Sequence, residues 1–263
     1  MVVRAGARRL QQHRRQVADR RFVMRLTGAA TIAALAAAPF ALLVVLVESR
    51  WTPLHRVDES AARRLHAVAT DHPAWTQALR VLSNWVWDPL TLRGAVLVVT
   101  LWLLYRRAWR LAAWSATTAV AGGLIGLGAK LLVERARPSL ADPVAHAPGY
   151  SFPSGHAMTA TTSCAVLLLV ALSLVPRRWR PVCWALAVLS VLGVGFTRVA
   201  LGVHWFSDIV GGWLLGAAVV TLTTWAFEAW RTDAGLRPTP LAQGLEPELR
   251  TERTAAHPER SQA

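Results

Sequence analysis

"LAAWSATTAVAGGLIGLGAKLLVERARP", residues 111–138, decides how the rest of the chain is read. It opens with 19 uncharged, largely apolar residues before the first charge, at Lys130. A helix needs about 20 such residues to cross the hydrocarbon core of a bilayer, so the stretch predicts a membrane span. Charged residues follow at its end: Glu134, Arg135 and Arg137, with Pro138 closing the run. Lys130 is the only lysine in a chain with 28 arginines. A charge at the end of a span is costly and points to a function. Retaining a compact ammonium among so many guanidinium groups points to a chemical need for it.

Working outward, five further apolar runs qualify as spans: Leu26 to Val47, Pro89 to Tyr105, Gly155 to Val175, Pro181 to Val203 and Ile209 to Phe227. The first exceeds the usual ~7–15 residues of a signal-peptide core, so it is read as a retained span. Of the 263 residues, 54% are hydrophobic, too many for an ordinary soluble domain. The expected fold is therefore all-α, a six-span transmembrane helical bundle. The two cysteines, Cys164 and Cys183, lie in apolar runs with no metal or redox spacing and read as small buried hydrophobes.

The formal net charge of +14 resides in arginine clusters. Eight arginines fall in residues 1–25, three in 106–110, three in 176–181 and five after 227. The opposite side holds five in residues 48–88 and two in 134–154. The excess assigns the first side, with both termini, to the cytoplasm. Short cytoplasmic turns also exclude nucleic acid as the partner of these charges. The domain plan is a basic N-terminal segment (1–25), a six-span domain (26–230) and a polar tail (231–263) expected to be disordered. Within the domain, residues 48–88 show helical apolar spacing and carry Trp75, Trp85 and Trp87, which predicts helices lying on the outer membrane interface.

Three charged clusters meet that outer boundary. Lys130 and Arg137 end the third span, Ser154, Gly155 and His156 open the fourth, and Arg198, His204 and Asp208 link the fifth to the sixth. Each has an ordinary explanation on its own. Lys130 can pair with Glu134, the arginines can snorkel, either histidine can be interfacial, and Asp208 can cap a helix. Seven ionisable or hydroxyl side chains at one depth make a site instead. Two guanidinium forks and an ammonium suit phosphate oxygens. A helix opening at Ser154–Gly155 offers free N–H groups and a positive dipole end to the same anion. His204 and Asp208, four apart, can orient an imidazole for attack, and His156 can protonate a leaving oxygen. No acidic cluster suggests a metal cage, so neither metal nor cofactor is expected.

These residues resemble the type 2 phosphatidic acid phosphatase superfamily, which also contains vanadium haloperoxidases and glucose-6-phosphatase. Its K-x6-R-P element is matched by Lys130–Pro138, P-S-G-H by residues 153–156, and S-R-x5-H-x3-D by residues 197–208, with Thr197 for the serine. The resemblance implies that His204 is the nucleophile forming a phosphohistidine, Asp208 its orienting group and His156 the general acid. It also implies that Lys130, Arg137, Ser154, Gly155 and Arg198 cradle the phosphate. The implied function is metal-independent hydrolysis of a membrane lipid phosphate or diphosphate at the outer face of the plasma membrane. Undecaprenyl diphosphate, phosphatidic acid and phosphatidylglycerol phosphate are the family's candidate substrates. The competing expectation is a non-enzymatic carrier or binder of phosphate lipids, which would need the cradle but not the nucleophile. Haloperoxidase chemistry fits poorly with six spans.

Overall fold

The computed structural model describes residues 27–247 and 249; the basic segment 1–25 and most of the tail beyond 247 lie outside the described residues. Among these residues the regular structure is helical, with no strand. In chain order the α-helices are α1 (Thr27–Glu48), α2 (Thr52–Asp71), α3 (Pro73–Val81), α4 (Pro89–Tyr105), α5 (Trp109–Val133), α6 (Gly155–Leu174), α7 (Arg180–Ala200) and α8 (Phe206–Asp233). Six described helical stretches are long and apolar enough to cross a membrane, as the sequence predicts. The second candidate runs from Pro73 to Tyr105, farther back than the expected start at Pro89. α3 passes through a π-helical turn, Leu82–Val86, and leads into α4 after a break at Trp87–Asp88. Pro89 sits at the first position of α4, where its missing N–H costs nothing, and the Asp88 carboxylate caps the N–H of Leu90 at 2.7 Å.

α6 is the axis of the bundle. Of its most apolar stretch, 72% is buried, against 11% for α1 and for α5. It packs most closely with α8 because Gly212 and Gly216 leave room there. A Cβ at Gly212 would come within 2.7 Å of the Ser154 carbonyl oxygen, and one at Gly216 within 2.9 Å of Thr161 Cβ. Small residues four apart let two helix backbones approach, and without a hydrophobic drive between lipid-bathed helices that contact matters most. Large apolar side chains such as Leu35, Leu97, Leu132 and Leu189 remain on the outside, as a bilayer solvent requires.

The bundle has two unlike ends. At one, Leu103, Leu111, Trp114, Val166, Leu172 and Phe227 form the main apolar core. The chain after α8 returns to this core, a departure from the expected disorder. Leu245 is fully buried there, and its N–H donates to the Leu169 carbonyl at 3.2 Å. Leu241, Leu245 and Leu249 are four apart, but the proline, glycine and charges among them hide this docking in the sequence, and Leu249 also packs on the core. At the other end, the C-termini of α5 and α7 meet the N-termini of α6 and α8. α2 lies across them and packs on α7 and α8.

Candidate active site

α5 ends in a left-handed residue, Glu134 (φ 47°), whose N–H bonds to the Lys130 carbonyl at 3.2 Å. This conformation reverses the chain, so that Arg135 and Arg137 turn back across the bundle end. The alternative pairing of Lys130 with Glu134 does not form. Lys130 Nζ donates to the Tyr150 carbonyl at 2.6 Å, while Glu134 accepts from the Tyr150 hydroxyl at 2.8 Å. Arg137 spreads its fork over neutral oxygens, from Nε to Gly149 O (2.9 Å), from Nη1 to Val203 O (2.7 Å) and from Nη2 to Pro148 O (2.9 Å). Its Nη1 also donates to His204 Nε2 at 3.1 Å.

Ser154 caps α6, its Oγ accepting from the Ala157 N–H at 3.4 Å. Its own N–H donates to the Asp208 carbonyl at 2.9 Å, which ties the start of α6 to the start of α8. The helix then leaves the Gly155 and His156 N–H groups without an intrahelical acceptor. Arg198, 5% exposed, donates from Nη1 to Ser83 Oγ at 3.0 Å, and its buried Nε has no hydrogen-bond partner. Arg198, His204, Arg137 and Lys130 all lie within electrostatic reach of His156. Thr197 spends its hydroxyl inside α7, on the Val194 carbonyl at 2.8 Å.

His204 sits in the turn between α7 and α8, 2% exposed. Its Nδ1 faces Asp208 Oδ2 at 3.2 Å. Donation from Arg137 makes Nε2 an acceptor, so the ring proton belongs on Nδ1, pointing at the carboxylate. The two contacts thus require the same neutral tautomer. Burial pulls the His204 pKa down from 6.5 to about 4; Asp208 opposes this, and the Arg198 and Arg137 charges add to it. Burial likewise pulls Arg137 below its ordinary value. The structure thus brings all eight residues singled out in the sequence to one end of the bundle. Lys130, Arg137 and Arg198 form no ion pair among the described residues, which leaves three cations beside the pair His156 and His204. Among the described residues no three metal-ligating side chains cluster.

Sequence reasoning missed four residues. Asp58 of α2, fully buried, accepts from the Ser207 N–H (2.8 Å), from Ser207 Oγ (2.6 Å) and from Arg135 Nη2 (2.7 Å). Arg135 Nη1 donates to Asp208 Oδ1 at 2.6 Å. The fourth is Ser83, which holds Arg198. Arg135 had a signal, its place between Lys130 and Arg137; Asp58 and Ser83 had none, since a lone polar residue on an amphipathic helix looks solvated.

Known proteins resemble this chain in sequence and in fold. Residues 111–232 match the PAP2 superfamily. Over 145 residues the chain is 28% identical to an undecaprenyl-diphosphatase of Sulfolobus acidocaldarius, covering 53% of this chain and 63% of that protein. Over 87 residues it is 40% identical to phosphatidylglycerophosphatase B of Bacillus subtilis, covering 32% of this chain and 42% of that one. The match therefore spans less than two thirds of either relative. Over 163 residues it is 33% identical to decaprenylphosphoryl-5-phosphoribose phosphatase of Mycobacterium tuberculosis, covering 59% of this chain and 82% of the relative. The crystal structure of a transmembrane PAP2 type phosphatidylglycerolphosphate phosphatase from Bacillus subtilis superposes with a TM-score of 0.67. It covers 79% of this chain and 98% of its own at 21% identity, a likeness of fold. With the three motifs convergent in space and a relative matched over most of its length, the chain belongs to the PAP2 superfamily.

Proposed function

We propose that the protein is an integral-membrane phosphatase acting on a lipid phosphate or diphosphate through a phosphohistidine. One observation carries the reading. Asp208 holds the His204 imidazole, with Arg137 and Arg198 beside it and Lys130 beside the neighbouring His156, and none of the three cations is paired with a carboxylate. A site with such excess positive charge favours a multiply charged anion, and the unpartnered Nε of Arg198 is a donor available to it.

In the proposed reaction, His204 Nε2 attacks phosphorus as Arg137 transfers its hydrogen bond from the ring to a phosphoryl oxygen. The bond from phosphorus to the leaving oxygen breaks, and His156 supplies the proton that oxygen needs. Water then attacks the phosphohistidine while His156 takes the proton back, the P–N bond breaks, and phosphate leaves with Nε2 restored. Lys130, Arg137, Arg198 and the N-terminus of α6 offset the charge on the equatorial oxygens, so positioning and electrostatics do most of the catalysis. Three side-chain cations fill the role a metal would otherwise take. The relatives named above act on isoprenoid and glycerol lipid phosphates, which supports a lipid headgroup as substrate. The arginine excess supports an extracytoplasmic site with both termini in the cytoplasm.

The test is phosphate release from a panel of lipid mono- and diphosphates in detergent with EDTA, comparing wild type with His204→Ala. Release from wild type, its loss in the variant and acid-labile 32P on wild-type protein are expected. Wild-type protein that binds the lipids but releases nothing would favour a carrier. Inhibition by the chelator would overturn the metal-free mechanism.

A further inference from the structure

The buried carboxylate of Asp58 has no part in the chemistry above, yet its bonds go to Arg135, which holds Asp208, and to Ser207, the residue before Asp208 and a partner of Arg135. It accepts from both donors of Ser207 and from one arm of Arg135. The other arm of Arg135 donates to Asp208 Oδ1 at 2.6 Å and to Ser207 Oγ at 2.7 Å. Asp208 Oδ2 is held by the Trp205 N–H at 2.9 Å and faces His204. The Arg135 guanidinium lies over the Trp205 ring at 5.6 Å, and Trp205 Nε1 donates to the Ala136 carbonyl at 3.0 Å. The fork of Arg135 is therefore fixed on every side.

We propose that Asp58 and Arg135 are a positioning pair for the His204–Asp208 couple, which makes α2 part of the catalytic apparatus. The proposal rests on His204 being the nucleophile. Arg135 alone would fix the Asp208 carboxylate but cancel its charge, leaving little to draw the Nδ1 proton of His204. Asp58 cancels Arg135 in turn. The trio keeps one net negative charge behind an imidazole that otherwise faces two cations, Arg137 from the loop after α5 and Arg198 from α7, while Lys130 of α5 and His156 of α6 lie close by. A buried carboxylate is costly to desolvate, and a site needing only packing at the α2–α8 contact would be served by an apolar residue. Asp58 acts through Arg135 and Ser207 and does not touch substrate.

The predicted signature is a pair of opposite shifts. Removing the negative charge with Asp58→Asn leaves Arg135 uncompensated, so the His204 pKa falls. Removing the positive charge with Arg135→Gln frees the full charge of Asp208, so the pKa rises. The double variant, with neither charge, titrates between the two. Full-length protein labelled with 15N-histidine in detergent micelles reports this directly, with His204→Gln assigning the resonance. In parallel, kcat for lipid phosphate release falls about 10–100-fold in Asp58→Asn with little change in KM, as for other outer partners of a functional histidine. Should Asp58→Asn fail to fold, Arg135→Gln and the double variant carry the comparison: His204 must titrate higher in the first. Unmoved titrations, shifts of the same sign, or undiminished kcat in Asp58→Asn would overturn the pair. If wild type releases no phosphate from any lipid, the phosphatase reading fails, and the His204 titration still decides whether Asp58 and Arg135 set its charge.

Discussion

Both ends of this bundle bury an arginine, and they treat it in opposite ways. At the end away from the site, Arg231 is fully buried and donates to Glu228 (3.2 Å) and to Thr239 (3.0 Å). At the site end, Arg198 and Arg137 are given neutral oxygens and one imidazole. A buried charge is tolerated when it is paired, so the first arrangement belongs to the fold. Cations with no carboxylate in direct contact stay expensive until an anion arrives, and the second arrangement suits the proposed phosphate site. Burial of charge alone does not mark a functional site in a membrane; lack of compensation does. Arg135, on the site side, is the instructive exception. It is paired twice, to Asp58 and Asp208, and so reads as structure that serves the site.

The sharpest way to break this contrast is Asp208→Asn. Its amide would hold His204 in the wrong tautomer, and kcat should fall roughly 10^4-fold, the scale seen when the orienting carboxylate of a catalytic histidine is neutralised. A loss below tenfold would mean that Asp208 only caps α8. Arg198→Ala should lower kcat about 10^2–10^3-fold, as for other donors to a developing charge. A rise in KM alone, with kcat kept, would mark Arg198 as a ground-state anchor.

At the far end the effects should move from chemistry to stability. Leu245→Ala is expected to cost about 2–3 kcal/mol through the cavity it leaves, lowering the thermal midpoint. Turnover per folded molecule should not change; a large drop in kcat would show that the two ends communicate. The smallest effect concerns pH. His204 titrates near 4 when folded and near 6.5 when unfolded, so between those values the folded protein binds fewer protons. Stability therefore rises with pH across that window and is lost as pH falls through it. His204→Gln should flatten that part of the profile. An equal slope in the variant would assign it to other groups.

The fold was legible where physics is local. Uncharged runs of the right length mark spans whatever surrounds them, and the six described candidates lie where hydropathy puts them. Site residues were legible where their types are improbable in their setting, such as a lone lysine at the end of a span or a histidine four before an aspartate. Neither signal exists for Asp58 or Ser83. Both lie before α4, and their partners are 77 and 149 residues away for Asp58 and 115 for Ser83. The extension of the second candidate span back to Pro73 escaped notice because a π-helical turn and Asp88 interrupt its apolar pattern.

The sequence by itself determined that this chain crosses a membrane and that three charged segments end at one boundary, because transfer energies depend on residue type and spacing alone. Only the tertiary structure decided which cations remain uncompensated. It also showed that Asp58 stands behind Asp208, since pairing between buried charges depends on distances of a few ångströms between segments the chain keeps far apart.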